Sequence, residues 1–167
     1  LDLLKRMGAS VVANGGQIVT NKAVGIKRIS IDTLKVQLQD TSIQGQKVVV
    51  AAGAWSKGLA QQVGDTLPLD TEQGYHLMYK GAEQLLNRPV GWADVGFYMT
   101  PMNEGLRAAG TVELAGLNNA ANPKRLQLIA KTMKTLLPQL KSHDSEWTGF
   151  RPSMPDSMPV ISQSSKD

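Results

Sequence analysis

The segment WTGFRPSMPDSMPVI, residues Trp147–Ile161, sets one permanently charged side chain in a run rich in apolar, glycine and proline residues. That side chain is Arg151. Pro152 favours an extended backbone at Arg151, and two further prolines stiffen the chain that follows. A rigidly presented guanidinium binds a carboxylate through two parallel hydrogen bonds and keeps its charge when water is excluded. The segment therefore predicts either a carboxylate-binding arginine or a structural ion pair with Asp156 or Glu146.

The composition is that of one ordinary domain. The chain has 167 residues, of which 41% are hydrophobic, and this is enough to bury a core. No apolar stretch approaches the roughly 20 residues that a membrane-spanning helix needs. The net charge of +4 comes from scattered Lys and Arg residues, so we expect no nucleic-acid partner. The absence of Cys and the wide separation of His76 and His143 lead us to expect no metal site.

The first half of the sequence predicts a hairpin followed by a buried strand. Two extended runs, AVGIKRISI and LKVQLQ, lie within 23–39 and are separated by Asp32-Thr33. A turn over Asp40–Gly45 leads to Val48–Ala51, a continuous apolar run that is typical of a strand covered on both faces. The small residues at 52–54 would allow either a ligand or a packed helix to approach closely. Residues 55–63 predict a short helix that ends at Gly64.

The second half predicts another hairpin and one long helix. Strands within 96–111 flank a turn at Asn103–Gly105. Asn122 and Pro123 begin a helix that ends at Leu137, with apolar side chains at three- and four-residue spacing. Shorter signals predict a first helix that closes at Gly8 and a last strand at 159–161. We expect an α+β fold, with a mixed, mainly antiparallel sheet of about five to seven strands and this long helix on one face.

Two segments carry a resemblance to a known family. VVVAAGAWS at 48–56 and the opening segment at 147–161 resemble the FAD-dependent amino-acid oxidoreductases, which include D-amino acid oxidase, glycine oxidase and, as the closest match, bacterial D-amino acid dehydrogenase. The resemblance implies a two-domain flavoprotein. Residues 1–67 would be part of the FAD-binding domain, 68–161 the substrate-binding domain and 162–167 a truncated tail. We therefore expect an internal fragment of a longer protein.

The same resemblance implies four substrate-binding residues. In the family, the arginine of the G-[FLY]-R-P motif grips the substrate carboxylate, and Arg151 matches it. The Y-x-x-P tyrosine that bonds the same carboxylate matches Tyr98, and the G-Y-H segment that lines the active site matches Tyr75 and His76. By residue type alone, Tyr98 would be a core tyrosine bonded to a carbonyl, and the other two would be a structural pair. We assign no catalytic residue, and we give the nearby acid Glu113 no chemistry.

FAD is the cofactor that the resemblance implies. The backbone at Ala51, Ala52 and Gly53 would face it, Trp55 would open the next helix, and the backbone of Val24 would meet the adenine. The sequence has no G-x-G-x-x-G turn to bind the pyrophosphate, and position 162 is Ser where the family usually has Gly. We therefore expect this chain alone to bind flavin poorly and to be inactive.

The family's chemistry implies oxidation of D-amino acids, in which hydride moves from the substrate Cα to flavin N5 and water hydrolyses the imino acid. The partners would be an amino-acid or amine substrate and an electron acceptor, either oxygen or a quinone chain. The protein would be located in the cytoplasm or at the inner face of the bacterial membrane. In this fragment an exposed flavin-facing surface would favour self-association. The residues also fit two other classes, a non-enzymatic α+β module that binds a carboxylate ligand or an acidic partner, and a degenerate copy kept as an interaction domain.

Overall fold

The computed structural model describes residues 2–114 and 116–166, and in it the chain forms two compact units. The first unit lies within 1–51, 58–66 and 164–167, and the second within 52–57 and 67–163. Leu1 and Asp167, which end two of the predicted segments, lie outside the described residues. Of the helices in this described part, none has the length and apolar character needed to span a bilayer.

The first unit begins with helix α1, Asp2–Ala13. The prediction that this helix closes at Gly8 is wrong, because the helix continues for five residues beyond it. One glycine inside a helix costs only about 1 kcal/mol relative to alanine, which the helical residues on both sides outweigh. The helix ends where Gly15 takes φ +82 and its N–H bonds the Val12 carbonyl at 3.0 Å.

The predicted hairpin is confirmed by strands β1, Ala23–Ser30, and β2, Thr33–Leu38, which pair antiparallel. The prediction of a turn over Asp40–Gly45 is wrong in its second part, because Ser42–Gly45 forms strand β3 against β2. The reversal is confined to residues 39–41, which leaves the following residues free to continue the ladder. The described residues of this unit thus form a three-stranded sheet in the order β1-β2-β3.

Two predicted strands are wrong. Val48–Ala51 forms no ladder, and Val49 is 88% exposed. The apolar run at 159–161 is also irregular, and Ile161 is 94% exposed. A strand covered on both faces needs neighbouring strands and covering layers, and the part of the chain that the structure describes provides neither for these runs. The short helix near 55–63 is confirmed as α2, Ser56–Gln62.

The second unit is built on a five-stranded sheet in its described residues. The strands are β4, Asp70–Tyr79; β5, Val90–Trp92; β6, Phe97–Met102; β7, Gly105–Leu114; and β8, Ser145–Ser153. Their order is β5-β6-β7-β4-β8, and every pairing is antiparallel. The predicted hairpin within 96–111 is confirmed as β6 and β7.

Helix α3, Pro123–Leu136, covers one face of this sheet, as the sequence predicts. The Asn122 side chain accepts a hydrogen bond from the Lys124 N–H at 3.1 Å and caps the helix. Ile129 and Met133 are buried, and each contributes roughly 1.5–3 kcal/mol of hydrophobic stabilisation. They pack in one core with Tyr75, Leu77, Tyr79, Ala82, Phe97, Met99, Leu106 and Ala108. The predicted α+β class is confirmed.

Alternation along β4 separates a buried face from an open one. Residues 71, 73, 75, 77 and 79 are buried, whereas the four residues between them are half-buried. Successive side chains of a strand point to opposite faces, so the buried set faces the core and the other set faces away from it. We call this second surface the open face. A bulge shifts the register of β7 against β4 between Gly74 and His76.

Candidate functional site

Strand register brings three of the four predicted substrate residues to the open face. Arg151 lies opposite Glu72, Trp147 opposite His76, and Gly149 opposite Gly74. Both His76 and Tyr98 pair with Ala109, one from each side of β7. Directly paired residues share a face of an antiparallel sheet. The candidate site therefore consists of Glu72, Gly74, His76, Tyr98, Trp147, Gly149 and Arg151.

Arg151 is held only loosely. Its Nη1 lies 3.7 Å from Glu72 Oε2, beyond hydrogen-bond distance, and 75% of its side chain is exposed. Such an exposed pair is worth about 0–1 kcal/mol. The second carboxylate oxygen, Glu72 Oε1, accepts a hydrogen bond from Ser153 Oγ at 3.1 Å. The guanidinium therefore remains able to bind a carboxylate from solution.

The two ion-pair partners that the sequence suggested for Arg151 bond elsewhere. Glu146 Oε1 lies 2.9 Å from His143 Nε2, and Asp156 accepts a bond from the Met158 N–H. Glu146 is five residues from Arg151 on β8, and an odd spacing puts the two side chains on opposite faces. The observed partner, Glu72, belongs to the neighbouring strand.

Tyr98 is a surface residue. Tyr98 is 58% exposed, and its ring lies over Gly91 on β5, where an added Cβ would come within 2.8 Å of Tyr98 Cε1. The alternative interpretation, a core tyrosine bonded to a carbonyl, is therefore wrong. Strands β7 and β4 lie between Tyr98 on β6 and Arg151 on β8. A ligand shared by these two side chains would lie across the middle of the sheet.

His76 stacks on Trp147, with ring centroids 4.7 Å apart and planes 18° apart. Among the described residues, its Nδ1 is buried without a hydrogen-bond partner. Burial, and then the charge of Arg107, lower the pKa of His76 to about 4. The ring is therefore neutral near pH 7.

This neutral ring predicts a pH-dependent loss of stability. The folded pKa of about 4 lies below the value of about 6.5 for an unfolded histidine. The contribution of His76 is thus fully present above pH 6.5 and is lost as the pH falls toward 4. We expect the urea midpoint to fall between pH 7 and pH 4.5 by more in the wild type than in His76→Phe, which keeps the stack. Equal falls would contradict the prediction.

Tyr75 faces the core on the opposite side of the sheet and is 3% exposed. Its hydroxyl donates to Glu113 Oε1 and accepts from the Asn122 N–H at 3.0 Å. Arg125 Nε lies 3.3 Å from the same Glu113 carboxylate. Burial raises the pKa of Tyr75, and the bond from Tyr75 lowers the pKa of Glu113. Because neighbouring strand residues face opposite ways, Tyr75 points away from the open face, and of the predicted pair Tyr75 and His76 only His76 lies on it.

A pair of variants separates the two tyrosines. Tyr75→Phe removes a hydroxyl that bonds two groups next to the start of α3, so we expect a loss of about 1–3 kcal/mol of unfolding free energy. Tyr98→Phe alters an exposed side chain and should change stability by less than about 0.5 kcal/mol. Urea denaturation measures both, and equal losses would contradict this assignment.

Four residues of the candidate site were not predicted from the sequence: Glu72, Gly74, Trp147 and Gly149. The sequence does contain a signal for Trp147 and Gly149. They alternate with Arg151 along W-T-G-F-R, and alternate residues of a strand point to the same face. No comparable local signal exists for Glu72, which is 79 residues away from Arg151 in sequence and meets it only through strand pairing.

Among the predicted cofactor residues, Gly53 has backbone that a ligand can approach. Gly53 has φ +55, and nothing lies within 4 Å of a Cβ added there. The Ala52 N–H donates to Ser56 Oγ at 3.0 Å, and Trp55 packs edge-on against Phe150. Ala51 is exposed, as are Val24 and Trp55 at 46% and 56%. The small side chains at 52–53 and the open space beside Gly53 fit close contact with a flat group.

The fit to a dinucleotide cofactor is partial. Pyrophosphate binding calls for a glycine-rich turn that leads into a helix N-terminus, and the sequence contains no G-x-G-x-x-G. The 52–54 segment fits contact with the flat part of a flavin, and the sequence includes no turn of this kind for the phosphates.

Comparison with known proteins adds a family match over the whole chain. The family model described as DAO, FAD dependent oxidoreductase, matches residues 1–167. A D-amino-acid oxidase of Bradyrhizobium diazoefficiens is 40% identical over 155 residues, which cover 90% of this chain and 37% of the relative. A D-amino acid dehydrogenase of Vibrio vulnificus (strain YJ016) is 31% identical over 165 residues, which cover 96% of this chain and 38% of the relative. The chain thus spans less than two-fifths of the length of either relative.

A solved structure shares the fold. Glycine oxidase from Bacillus cereus ATCC 14579 superposes with a TM-score of 0.78 at 23% identity, over 97% of this chain and 45% of that one. At this level of identity the likeness supports the fold, and the candidate site is argued from the residues of this chain.

Proposed function

Because the chain belongs to the DAO family of FAD-dependent oxidoreductases, we propose that it is the substrate-binding part of an enzyme that oxidatively deaminates D-amino acids. One observation carries the proposal: a weakly paired arginine shares the open face with Tyr98 and His76. The names of the relatives, D-amino-acid oxidase and D-amino acid dehydrogenase, support this substrate class.

Arg151 orients the substrate in this proposal. Its guanidinium binds the amino-acid carboxylate through two charge-assisted hydrogen bonds and displaces the distant Glu72 carboxylate. The Tyr98 hydroxyl donates a hydrogen bond to the substrate from the same open face, with two strands between its own strand and β8. Fixing the substrate in this way directs its Cα–H bond and lowers the entropic part of the barrier. Neutral His76 adds no charge near the amine.

FAD, when bound, supplies the acceptor for the Cα hydride. We propose that Ala52 and Gly53 of the second unit contact it through their backbone. The substrate loses a hydride and an amine proton to become an imino acid, which water hydrolyses to a 2-oxo acid and ammonia. No residue of this chain is assigned as the base.

The domain assignment is also a proposal. Residues 1–67 would belong to the FAD-binding domain, 68–161 to the substrate domain and 162–167 to a tail. The compact units differ from this division, because Ala52–Lys57 groups with the strands that carry the candidate site.

Oxygen or a quinone would take up the electrons that the flavin receives from the substrate.

Absorption spectroscopy tests the proposed function. The protein is expressed from its complete open reading frame, and its visible spectrum is recorded under anaerobic conditions before and after D- or L-amino acids are added. We expect a flavin band that D-amino acids bleach and L-amino acids leave unchanged. A colourless protein that still binds carboxylates would overturn the proposal in favour of a non-enzymatic carboxylate-binding module.

A further inference from the structure

Trp147 occupies a distinctive place on the open face. On β8 it lies four residues before Arg151, with Gly149 midway, so all three face the same way. Trp147 is 51% exposed, although its indole is one of the largest apolar side chains of the protein. A large ring beside a ligand-binding cation is a candidate contact for the rest of that ligand.

The ring leans along the strand over Gly149. A Cβ added at Gly149 would lie 2.2 Å from Trp147 Cη2 and 2.3 Å from Cζ2, closer than atoms can approach. Across the strand pair, Gly74 also lacks a side chain, and the nearest atom to a Cβ added there is the Gly149 carbonyl oxygen at 3.9 Å. Gly74 and Gly149 thus leave a part of the open face that has no side chains of its own. The Trp147 indole covers some of this part, on the side toward Arg151.

His76 fixes the orientation of this ring. It is the direct cross-strand partner of Trp147, and its imidazole stacks on the indole with only 18° between the planes. Stacking of this kind favours this orientation of the indole and covers one of its faces. The exposed half of the indole is therefore the surface that a ligand can meet.

We propose that Trp147 is a specificity-determining residue that contacts the side chain of the substrate while Arg151 holds its carboxylate. This inference rests on the proposed function. A flat apolar surface favours flat apolar groups, so the substrate class is amino acids with aromatic or other apolar side chains. Arg107 lies on the same face, and its positive charge disfavours basic side chains. His76 acts through Trp147 and is a positioning residue.

Two carboxylates that differ only by a ring test the inference. Calorimetry measures the Kd of propionate and of 3-phenylpropionate for the protein expressed from its complete open reading frame. We expect the wild type to bind 3-phenylpropionate at least tenfold more tightly than propionate. In Trp147→Ala this preference should fall about tenfold, while the Kd of propionate changes less than threefold. Trp92→Ala, which removes another exposed indole from β5 of the same sheet, should leave the preference unchanged.

A second variant keeps the test decisive if Trp147→Ala misfolds. Trp147→Phe keeps a ring that can stack on His76 and should retain most of the preference, and circular dichroism checks the fold of each variant. A wild-type preference in folded Trp147→Ala would overturn the inference alone. If Trp147→Ala does not fold, loss of the preference in Trp147→Phe would overturn it. If neither carboxylate binds the wild type, the proposed function fails and this inference fails with it.

Discussion

Replacing Arg151 by lysine should raise the KM for a D-amino acid about 10- to 100-fold and leave the flavin spectrum unchanged. Lysine keeps the positive charge but lacks the planar pair of donors that matches both oxygens of a carboxylate. Losing one charge-assisted hydrogen bond costs about 1.5–3 kcal/mol, which corresponds to this range. Because Arg151 bonds no described side chain more closely than the 3.7 Å approach of Glu72, the fold should tolerate the exchange.

Steady-state kinetics of the protein from its complete open reading frame measures this effect. Arg88→Lys is a matched control, since it makes the same exchange at a side chain that bonds only its neighbour Asn87 among the described residues. The control should change KM less than twofold. Collapse of flavin incorporation with an unchanged KM would show that Arg151 supports the cofactor and not the substrate.

Local signals account for the elements that the sequence predicted correctly. The hairpin at β6 and β7 has its own turn residues, and α3 has its own cap and apolar stripe. Each of these signals lies within the element that it predicts, so no distant residue is needed to read it. The Val48–Ala51 run failed for the opposite reason, because an apolar run becomes a strand only where another strand pairs with it.

Strand register decides which side chains share the open face, and local sequence motifs do not specify that register. The segment G-Y-H at 74–76 identifies two neighbouring aromatic side chains without telling which one faces the site. Pairing with β8 settles this, because His76 lies opposite Trp147 on the open face and Tyr75 faces α3. The contact between Arg151 and Glu72 likewise follows from cross-strand pairing. Motifs therefore indicated which segments matter, and the sheet decided which of their side chains meet.

Gly105→Ala should lower the free energy of unfolding by about 3 kcal/mol or more. Gly105 begins β7 with φ +137, a conformation that side chains rarely adopt. An added Cβ would lie 2.5 Å from the Tyr79 carbonyl oxygen and 2.9 Å from its carbon. These are backbone atoms of β4, so the clash is relieved only by separating two central strands of the sheet.

Gly58→Ala is the matched control for this clash. It adds the same methyl group within α2, where nothing lies within 4 Å, and should stabilise the protein by about 0.5–1 kcal/mol. Urea denaturation compares both variants with the wild type. Because β4 and β7 support His76 and the partner of Tyr98, Gly105→Ala should also weaken carboxylate binding, although it touches no residue of the candidate site. A loss of unfolding free energy below about 1 kcal/mol would mean that β4 and β7 separate at little cost. The open face would then be too flexible to orient a substrate.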